Sequence, residues 1–515
     1  NIELLWNGND YFKGLHDFFK YLESNSYKIQ YRVMLSRYRG KTTCNSCLGT
    51  RLRSDSEYVK IGDQSITDIN SMTINNAIDF FNKLKLKNDD AQISKRILHE
   101  ITSRLHYLSD VGLGYLSLMR ASNTLSGGES QRINLATSIG SSLVGSMYIL
   151  DEPSIGLHTR DSQRLIKVLK KLRDIGNTVI VVEHDEEMMR AADHIIDIGP
   201  EAGRYGGEVV FKGNHSQLIN SKKSLTSKYL TGKLKIEIPS VRRKSKDYIF
   251  IKEAYLHNLK NISVKIPLNQ ICVITGVSGS GKSTLINGVL HTYLERFFIT
   301  GLEKASYCSE IKADLNLISG VELINQNPIG KSSRSNPITY TKGYDEIRQL
   351  FANQKHAKVN GFKPGYFSFN VDGGRCEKCQ GEGQITISMQ FMADVHLNCD
   401  ECNGKRFKED VLEVKYKGKN IAQVLEMTVE EGLTFFNEDS TVCKKIHSKI
   451  QALYEVGLEY VQLGQPSNTL SGGEAQRIKL ASFLSQSKSK KQKLFIFDEP
   501  TTGLHFHDVK KLIKA

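Results

Sequence analysis

Apolar residues occur along the chain in short runs, which are typical of buried parallel strands. None of the runs approaches the roughly 20 consecutive apolar residues that a membrane helix needs, so we expect no membrane span. A helix is predicted over Thr284–Leu290, and alternation over residues 384–398 predicts a β-hairpin. The predicted strands are Tyr148–Leu150, Thr178–Glu183, Gln270–Thr275 and Leu494–Phe497.

Length and composition indicate a folded protein of about three domains. The 515 residues are 39% hydrophobic and 24% charged, which argues against wholesale disorder. There are 70 Lys and Arg residues against 56 Asp and Glu residues, which gives a net charge of +14. This excess favours a polyanionic partner such as nucleic acid, although a solvated lysine-rich surface would give the same count.

The chain contains an internal repeat. VGLGYLSLMRASNTLSGGESQRINLA from Val111 matches VGLEYVQLGQPSNTLSGGEAQRIKLA from Val456, at an offset of 345. YILDEPSIGLH and FIFDEPTTGLH follow at an offset of 347, and CNSCLGTRL from Cys44 matches CDECNGKRF from Cys399 at 355. Each half therefore carries a Cys-x-x-Cys pair, an LSGGE motif and a DEP motif in the same order.

The two copies are unequally complete. GVSGSGKST precedes the second copy, and no such segment precedes the first. TVIVVEHD follows the first copy, whereas the sequence reaches Ala515 before a counterpart follows the second. We therefore expect these residues to be the middle of a longer chain.

The segment from Gly276 to Ser283 matches the P-loop pattern G-x-x-x-x-G-K-S between a predicted strand and a predicted helix. Glycines there let backbone N–H groups surround phosphates at a helix N-terminus. Lys282 would reach the β- and γ-phosphates and Ser283 would bind Mg²⁺, so ATP and Mg²⁺ are the expected cofactors. A chance glycine-rich turn would lack this strand–loop–helix context. The expected phosphate and Mg²⁺ contacts are Gly276, Ser278, Gly279, Gly281, Lys282, Ser283 and Thr284.

A DEP motif follows an apolar strand in each half. An acid at the carboxyl end of a buried parallel strand is well placed to face Mg²⁺, which predicts that role for Asp151 and Asp498. The next residue, Glu152 or Glu499, would polarise the attacking water. A single Asp-Glu after a strand is usually a solvated turn, but its repetition after LSGGE argues against that interpretation.

The LSGGE motifs resemble the signature of ABC-type ATPases. The resemblance implies that the serine and glycines contact the γ-phosphate held by the opposite half; a serine N-cap alone would also explain the motif. His184 resembles the switch histidine and Gln326 the Q-loop glutamine of this class. The signature positions are Ser126, Gly127 and Gly128 in the first half, and Ser471, Gly472 and Gly473 in the second.

Head-to-tail pairing of the halves would build two composite sites. The first would combine residues 276–284, Gln326, Asp498 and Glu499 with Ser126 and Gly128. The second would combine Asp151, Glu152 and His184 with Ser471 and Gly473, together with a P-loop that this sequence does not contain.

Six of the nine cysteines form Cys-x-x-Cys pairs. Cys376 and Cys379 are separated by 19 residues from Cys399 and Cys402, which fits a closed four-thiolate Zn²⁺ site of structural type. Cys44 and Cys47 match the second of these pairs. By the repeat we expect a partner pair upstream and a second zinc module; a redox pair is the alternative.

Several longer segments are similar to UvrA, the damage-recognition ATPase family of bacterial nucleotide excision repair. They are NQNPIGKSSRSNPITYT at 325–341, FKPGYFSFNVDGGRCEKCQGEG at 362–383, DEPSIGLH at 151–158, EHDEEMMRAADHIIDIGP at 184–200 and DEPTTGLH at 498–505. The resemblance covers residues from about 31 to the end. The first alternative to this family is the ATPase subunit of a transporter. Transporter ATPases carry neither the cysteine module nor Gly-Leu-His after DEP.

The resemblance implies a cytoplasmic homodimer of tandem ABC modules that binds lesion-containing duplex DNA and loads the helicase subunit UvrB. ATP hydrolysis would tune lesion discrimination, and the zinc module of the second half, which contains Cys376 and Cys399, would take part in that discrimination. Two alternatives stay open: a relative that clears DNA-bound drugs, and a DNA-binding scaffold without turnover.

A lesion sensor must ignore sequence, so we expect contacts mainly with phosphates. Each candidate cation alone could simply be solvated, but together they surround the cysteine hairpin and the 325–342 loop. The candidates are Lys331, Arg334, Lys342, Arg375, Lys405, Arg406 and Lys408.

The expected fold class is α/β, with two ABC-type P-loop halves, helical signature regions and inserted cysteine zinc modules. The expected divisions are an upstream tail (1–43), a first signature region with half a zinc module (44–120), the end of the first ATP-binding core (121–232), a linker (233–247), the start of the second core (248–300), a second signature region with its zinc insertion (301–468) and the rest of the second core (469–515).

Overall fold

The computed structural model describes residues 2–9, 11–38, 43–125, 127–140, 144–157, 159–301, 306–330, 332–387, 395–485 and 492–515. The chain forms two compact units. The smaller unit comprises Asn1–His106 and Gly114–Ala121, and the larger comprises Tyr107–Leu113 and Ser122–Ala515. No helix among the described residues combines the length and apolar character that a membrane crossing requires.

The smaller unit is mostly helical. Ser65 caps α4 (Ile66–Ser71) through a reciprocal capping box with Asp68, and the Thr73 hydroxyl caps α5 (Ile74–Lys83). The backbone of Ile74 bonds to Leu116 and so holds the end of this unit's second segment against α5. Its elements are α1 (Ile2–Asn7), α2 (Gly14–Ser24), α3 (Ile29–Tyr38), β1 (Lys60–Ile61), β2 (Gln64–Ser65), α4 (Ile66–Ser71), α5 (Ile74–Lys83) and most of α6 (Asn88–Asp110).

The larger unit alternates strands and helices. Its first part contains α7 (Gly127–Gly140), β3 (Met147–Asp151), α8 (Thr159–Asp174), β4 (Thr178–Val182), α9 (Glu186–Ala191), β5 (Ile195–Gly199), β6 (Glu208–Gly213), α10 (His215–Ile219), α11 (Leu225–Leu230), β7 (Tyr248–Ala254) and β8 (Ile262–Pro267). A π-helix over Thr284–His291 leads into α12 (Thr292–Thr300), β9 (Glu310–Lys312) and β10 (Ile318–Ile324).

The rest of the larger unit is predominantly helical. It contains α13 (Pro337–Tyr340), α14 (Tyr344–Ala352), α15 (Lys355–Val359), β11 (Gln384–Ile387), β12 (Val395–Asn398), α16 (Glu409–Leu412), α17 (Ile421–Glu426), α18 (Val429–Phe435), α19 (Thr441–Glu455), α20 (Gly472–Leu484), β13 (Gln492–Phe497) and α21 (Phe506–Lys514).

Parallel pairing brings the motif-bearing strands together within each half. β3 pairs with β4, and β10 pairs with β13. Antiparallel pairs are formed by β5 with β6, β7 with β8 and β9, and β11 with β12. The strands predicted before both DEP motifs and before His184 are therefore confirmed, and so is the hairpin within the cysteine module.

The strand predicted over Gln270–Thr275 is wrong as a strand. No described residue forms a ladder with this segment, and Ile271 is 88% exposed. Apolar side chains favour strand formation only where a neighbouring strand accepts the backbone hydrogen bonds, and that pairing is missing here.

Two apolar cores position the elements of the second half. The larger core packs α14, α17, α19 and α20 around residues such as Phe351, Phe436 and Ile478. The smaller core packs β7, β8 and the π-helix around Ile251, Leu285 and Val289. The strand β10 connects the two cores, because its Ile324 lies in the larger core and its Ile318 in the smaller core.

Candidate nucleotide site and metal centre

The 276–284 loop has the backbone that its glycines permit. Gly276, Gly279 and Gly281 have φ values of 151°, 74° and 102°, in the region that favours glycine. The Lys282 ammonium donates to the carbonyls of Gly276 (2.9 Å) and Val277 (3.0 Å). Helical backbone begins at this lysine, so the loop has the lysine and the helix N-terminus that a phosphate site requires.

Two asparagines that the sequence did not single out hold this loop and join it to the DEP motif. Asn258 donates its amide N–H to the carbonyl of Gly279 at 2.9 Å. Asn287, on the π-helix after the loop, donates to the Asp498 carboxylate at 3.2 Å. The P-loop helix and the expected Mg²⁺-binding acid are therefore neighbours, although 211 residues separate them in sequence.

The two DEP glutamates share an unusual backbone. Glu152 and Glu499 have φ values of 47° and 48°, a region that non-glycine residues seldom occupy. Burial raises the pKa of both carboxyl groups, while His184 opposes the rise at Glu152 and Lys282 opposes it at Glu499. Each glutamate is thus held at a strand end, with the His184 imidazole beside Glu152 and the Lys282 ammonium near Glu499.

The DEP loops of the two halves approach each other reciprocally. A Cβ built on Gly156 would lie 3.5 Å from the Glu499 carboxylate, and one built on Gly503 would lie 2.6 Å from that of Glu152. Each half therefore places a glycine against the glutamate of the other. The sequence shows the glycine and the glutamate in both DEPxxGLH segments. That the glycine of each segment faces the glutamate of the other is seen only in the structure.

His184, the expected switch histidine, lies next to Glu152. Its Nε2 is 3.8 Å from the glutamate Oε1. The neighbouring Glu183 accepts from the backbone N–H groups of Ser154 and His184, which fixes the loop around both residues. His505 of the second half faces His184 at 6.3 Å between ring centroids, and burial lowers the pKa of His505.

The second LSGGE motif begins α20 with a capping box. Ser471 accepts from the backbone N–H of Glu474, and the Glu474 carboxylate accepts from that of Ser471. Among described residues, the atoms nearest a Cβ on Gly472 belong to Gln326, and those nearest Gly473 belong to Leu504 and Thr502. These neighbours are in the same half, so pairing of this signature with the opposite site stays a prediction.

The first LSGGE motif is only partly described, and Ser126 lies outside the described residues. Gly127 begins α7, and a Cβ on Gly128 would lie 2.5 Å from the carbonyl of Ile155 in the same half. Gln326 donates to the backbone carbonyl of Glu499 at 3.2 Å, which places the expected Q-loop residue at the DEP motif.

The four cysteines of the second half converge. Their sulfurs lie within 4.8 Å of one another, with 3.9 Å between Cys376 and Cys399 and 3.6 Å between Cys379 and Cys402. Zn–S bonds of about 2.3 Å in a tetrahedron require sulfurs about 3.8 Å apart, so the cluster fits Zn²⁺. All four cysteines are buried. His396 lies between the two cysteine pairs in sequence and could compete as a ligand, but it is exposed on the hairpin, bonds to Thr386 and is not part of the cluster.

Cys44 and Cys47 lie in a turn of the smaller unit, where the backbone N–H of Leu48 bonds to the carbonyl of Cys44. Backbone N–H groups of Cys47 and Ser46 lower the pKa of Cys44. No other cysteine or histidine completes a metal cluster around them among the described residues. Their expected partner pair therefore stays a prediction.

The candidate DNA contacts differ in accessibility. Lys342 and Lys405 are exposed, whereas Arg334, Arg375 and Lys408 form ion pairs with Glu382, Asp372 and Glu377. Lys331 lies outside the described residues. Arg406 is only 9% exposed and packs over the Phe369 ring. Burial argues against a phosphate contact by Arg406, because its guanidinium is directed into the protein.

The chain is similar to bacterial and archaeal proteins called UvrABC system protein A. No protein-family model matches the chain. It is 51% identical over 496 residues to the protein of Clostridium perfringens, covering 96% of this chain and 52% of that protein. The Borreliella burgdorferi protein is 54% identical over 496 residues, covering 96% of this chain and 51% of that one.

A solved structure supports the same relationship. The crystal structure of UvrA2 from Deinococcus radiodurans superposes with a TM-score of 0.86 at 38% identity, covering 96% of this chain and 61% of that one. The expected α/β class with ABC-type halves is thereby confirmed. The chain spans about half the length of the curated relatives that it matches.

Proposed function

The chain belongs to the UvrA family, and we propose that it forms the ATP-hydrolysing and DNA-binding part of a damage-recognition subunit in nucleotide excision repair. The hydrogen bond between Asn287 and Asp498 carries the nucleotide part of this proposal. It joins the phosphate-binding helix to the DEP motif, which is the juxtaposition that an ATPase site needs.

In this proposal ATP lies on the 276–284 loop. Lys282 would bind its β- and γ-phosphates, while Ser283 and Asp498 would hold Mg²⁺, which neutralises phosphate charge. Glu499 would orient the attacking water, and its raised pKa favours a role as proton acceptor. Glu152, His184 and Asp151 would serve the equivalent site of the first half.

The zinc module and nearby cations would contact duplex DNA. Cys376, Cys379, Cys399 and Cys402 would hold Zn²⁺ in a closed site, so the metal shapes the module and takes no part in hydrolysis. Exposed Lys342 and Lys405 are suited to sequence-independent phosphate contacts. A lesion that eases bending or unwinding would then be detected as a lower deformation cost.

As partners we propose a second copy of the protein and UvrB, and as location the cytoplasm. After residue 120, we propose a first ATP-binding core (121–232), a linker (233–247) and a second core formed by 248–300 and 469–515. The signature region with its zinc insertion (301–468) lies between the two segments of the second core. The two divisions up to residue 120 are proposed as a tail and the other signature region.

The test measures fluorescence anisotropy on lesion-bearing and undamaged duplexes, with and without ATP, at a stated salt concentration. We expect a preference for the lesion that changes with ATP in the unaltered protein. In the Glu499→Gln variant, which should bind ATP without turnover, the ATP-bound preference should persist. Equal binding to both duplexes, insensitive to ATP, would contradict damage sensing and favour the drug-clearing or scaffold alternatives.

A further inference from the structure

Lys479 is a buried cation that the proposed chemistry does not use. It lies on α20, eight residues after Ser471, and is 9% exposed. Its ammonium donates to the carbonyl of Asn325 at 2.9 Å, to the Asn325 side-chain oxygen at 2.7 Å and to the carbonyl of Asn327 at 2.7 Å. Among the described residues it forms no ion pair with a carboxylate.

These three acceptors belong to Asn325 and Asn327, the residues immediately before and after Gln326. The ammonium therefore fixes the backbone immediately before and after this glutamine. Gln326 in turn donates to the carbonyl of Glu499 and lies against Gly472 of the signature. A small shift of the 325–327 backbone would move the glutamine amide away from the DEP motif.

We propose that Lys479 is a positioning residue for the nucleotide site of the second half, holding Gln326 in place through the carbonyls on both sides of it. This inference rests on the proposed ATP hydrolysis. Lys479 does not contact the expected nucleotide position; it acts through Gln326. The signature helix and the Q-loop segment are thereby fixed to each other in this half.

The energetics of the site favour such a role. Burial of an ammonium without a carboxylate partner is unfavourable, and burial accordingly lowers the pKa of Lys479. The three oxygens offset that cost only while the 325–327 backbone keeps its shape. Gln476, one helical turn earlier on α20, adds bonds to the carbonyls of Ile324 and Asp498, both at 3.0 Å.

The internal repeat has a different residue at the position that corresponds to Lys479 in the first half. At the offset of 345, the position of Lys479 corresponds to Asn134, which is exposed. An asparagine side chain is too short to donate to the same three oxygens from the Lys479 position. Lys479→Asn therefore gives the second half the residue of the first, and Lys479→Met removes the ammonium while keeping the volume.

The experiment measures steady-state ATP hydrolysis, affinity for a fluorescent ATP analogue and thermal unfolding of the full chain. For Lys479→Met and Lys479→Asn we expect kcat to fall about tenfold, with KM and analogue affinity changed by less than about twofold. Lys493→Met is the control, because Lys493 pairs with Glu322 on the adjoining strands β13 and β10 and should leave kcat unchanged.

Unaltered kcat in both Lys479 variants would overturn the inference. So would a parallel fall of kcat, analogue affinity and unfolding temperature, because that pattern belongs to a residue that only supports the fold. If the unaltered protein does not hydrolyse ATP, the proposed function fails and this inference fails with it. If the unaltered protein hydrolyses ATP and the Lys479 variants do so equally well, only this inference fails.

Discussion

At the scale of single residues, Tyr460 stabilises the second signature motif from outside it. Its hydroxyl donates to Glu474 Oε1 at 2.7 Å and accepts from Arg477 at 3.2 Å. The other oxygen of Glu474 accepts from Ser471. Both carboxylate oxygens are therefore bound, and burial raises the pKa of the tyrosine so that its hydroxyl stays a donor.

Replacing Tyr460 by Phe should lower the free energy of unfolding by about 1–2 kcal/mol. The reason is that removal of one hydroxyl leaves a partly buried carboxylate oxygen without that donor. Urea unfolding of the full chain measures the change. Tyr454→Phe is the matched control, because that ring is 43% exposed and should cost less than about 0.5 kcal/mol. Equal effects of the two substitutions would contradict this account of Tyr460.

At the scale of elements, the hairpin of β11 and β12 depends on the cysteine cluster. Its strands are largely exposed, and Ile385 is the partly buried apolar side chain that packs on the cysteines. A two-stranded hairpin with so little apolar contact is marginal by itself in water. Bound Zn²⁺ would supply the missing stabilisation, because a metal that binds only the folded module favours it.

Removal of Zn²⁺ by a chelator should therefore open this hairpin selectively. We expect amide hydrogens in Gln384–Ile387 and Val395–Asn398 to exchange faster, while far-UV circular dichroism changes little, since the helices of the larger core pack separately. The hairpin of β5 and β6, which contains no cysteine, is the control and should keep its protection. Equal loss in both hairpins would exclude a local role for the metal.

The sequence predicted the elements whose signals are local. Leu494–Phe497 is flanked by motif residues, and LSGGE contains its own N-cap, so β13 and α20 were predictable. The strand predicted over 270–275 is wrong, because strand formation also needs a partner strand elsewhere in the chain, and the local pattern does not show whether one is present. Asn287 and Lys479 have no local signature at all: their acceptors lie 211 and more than 150 residues away, so only the folded chain identifies their roles.

At the scale of the whole molecule, the net charge of +14 becomes informative only when the cations are divided by accessibility. Among the described candidates, Lys342 and Lys405 are exposed and Arg406 is buried. A cation at a phosphate releases condensed counterions, so its contribution appears in the salt dependence of binding. A buried cation contributes to folding instead.

The salt dependence of DNA binding should therefore distinguish these residues. Lys342→Gln and Lys405→Gln should each reduce the slope of log K against log salt by about 1, because each removes one phosphate contact. Arg406→Met should leave the slope unchanged and lower the unfolding temperature, since its guanidinium packs on Phe369 inside the protein. Anisotropy on an undamaged duplex at several salt concentrations measures the slopes. An unchanged slope in both lysine variants would remove them from the DNA interface, and a reduced slope for Arg406→Met would place its charge at the DNA despite its burial.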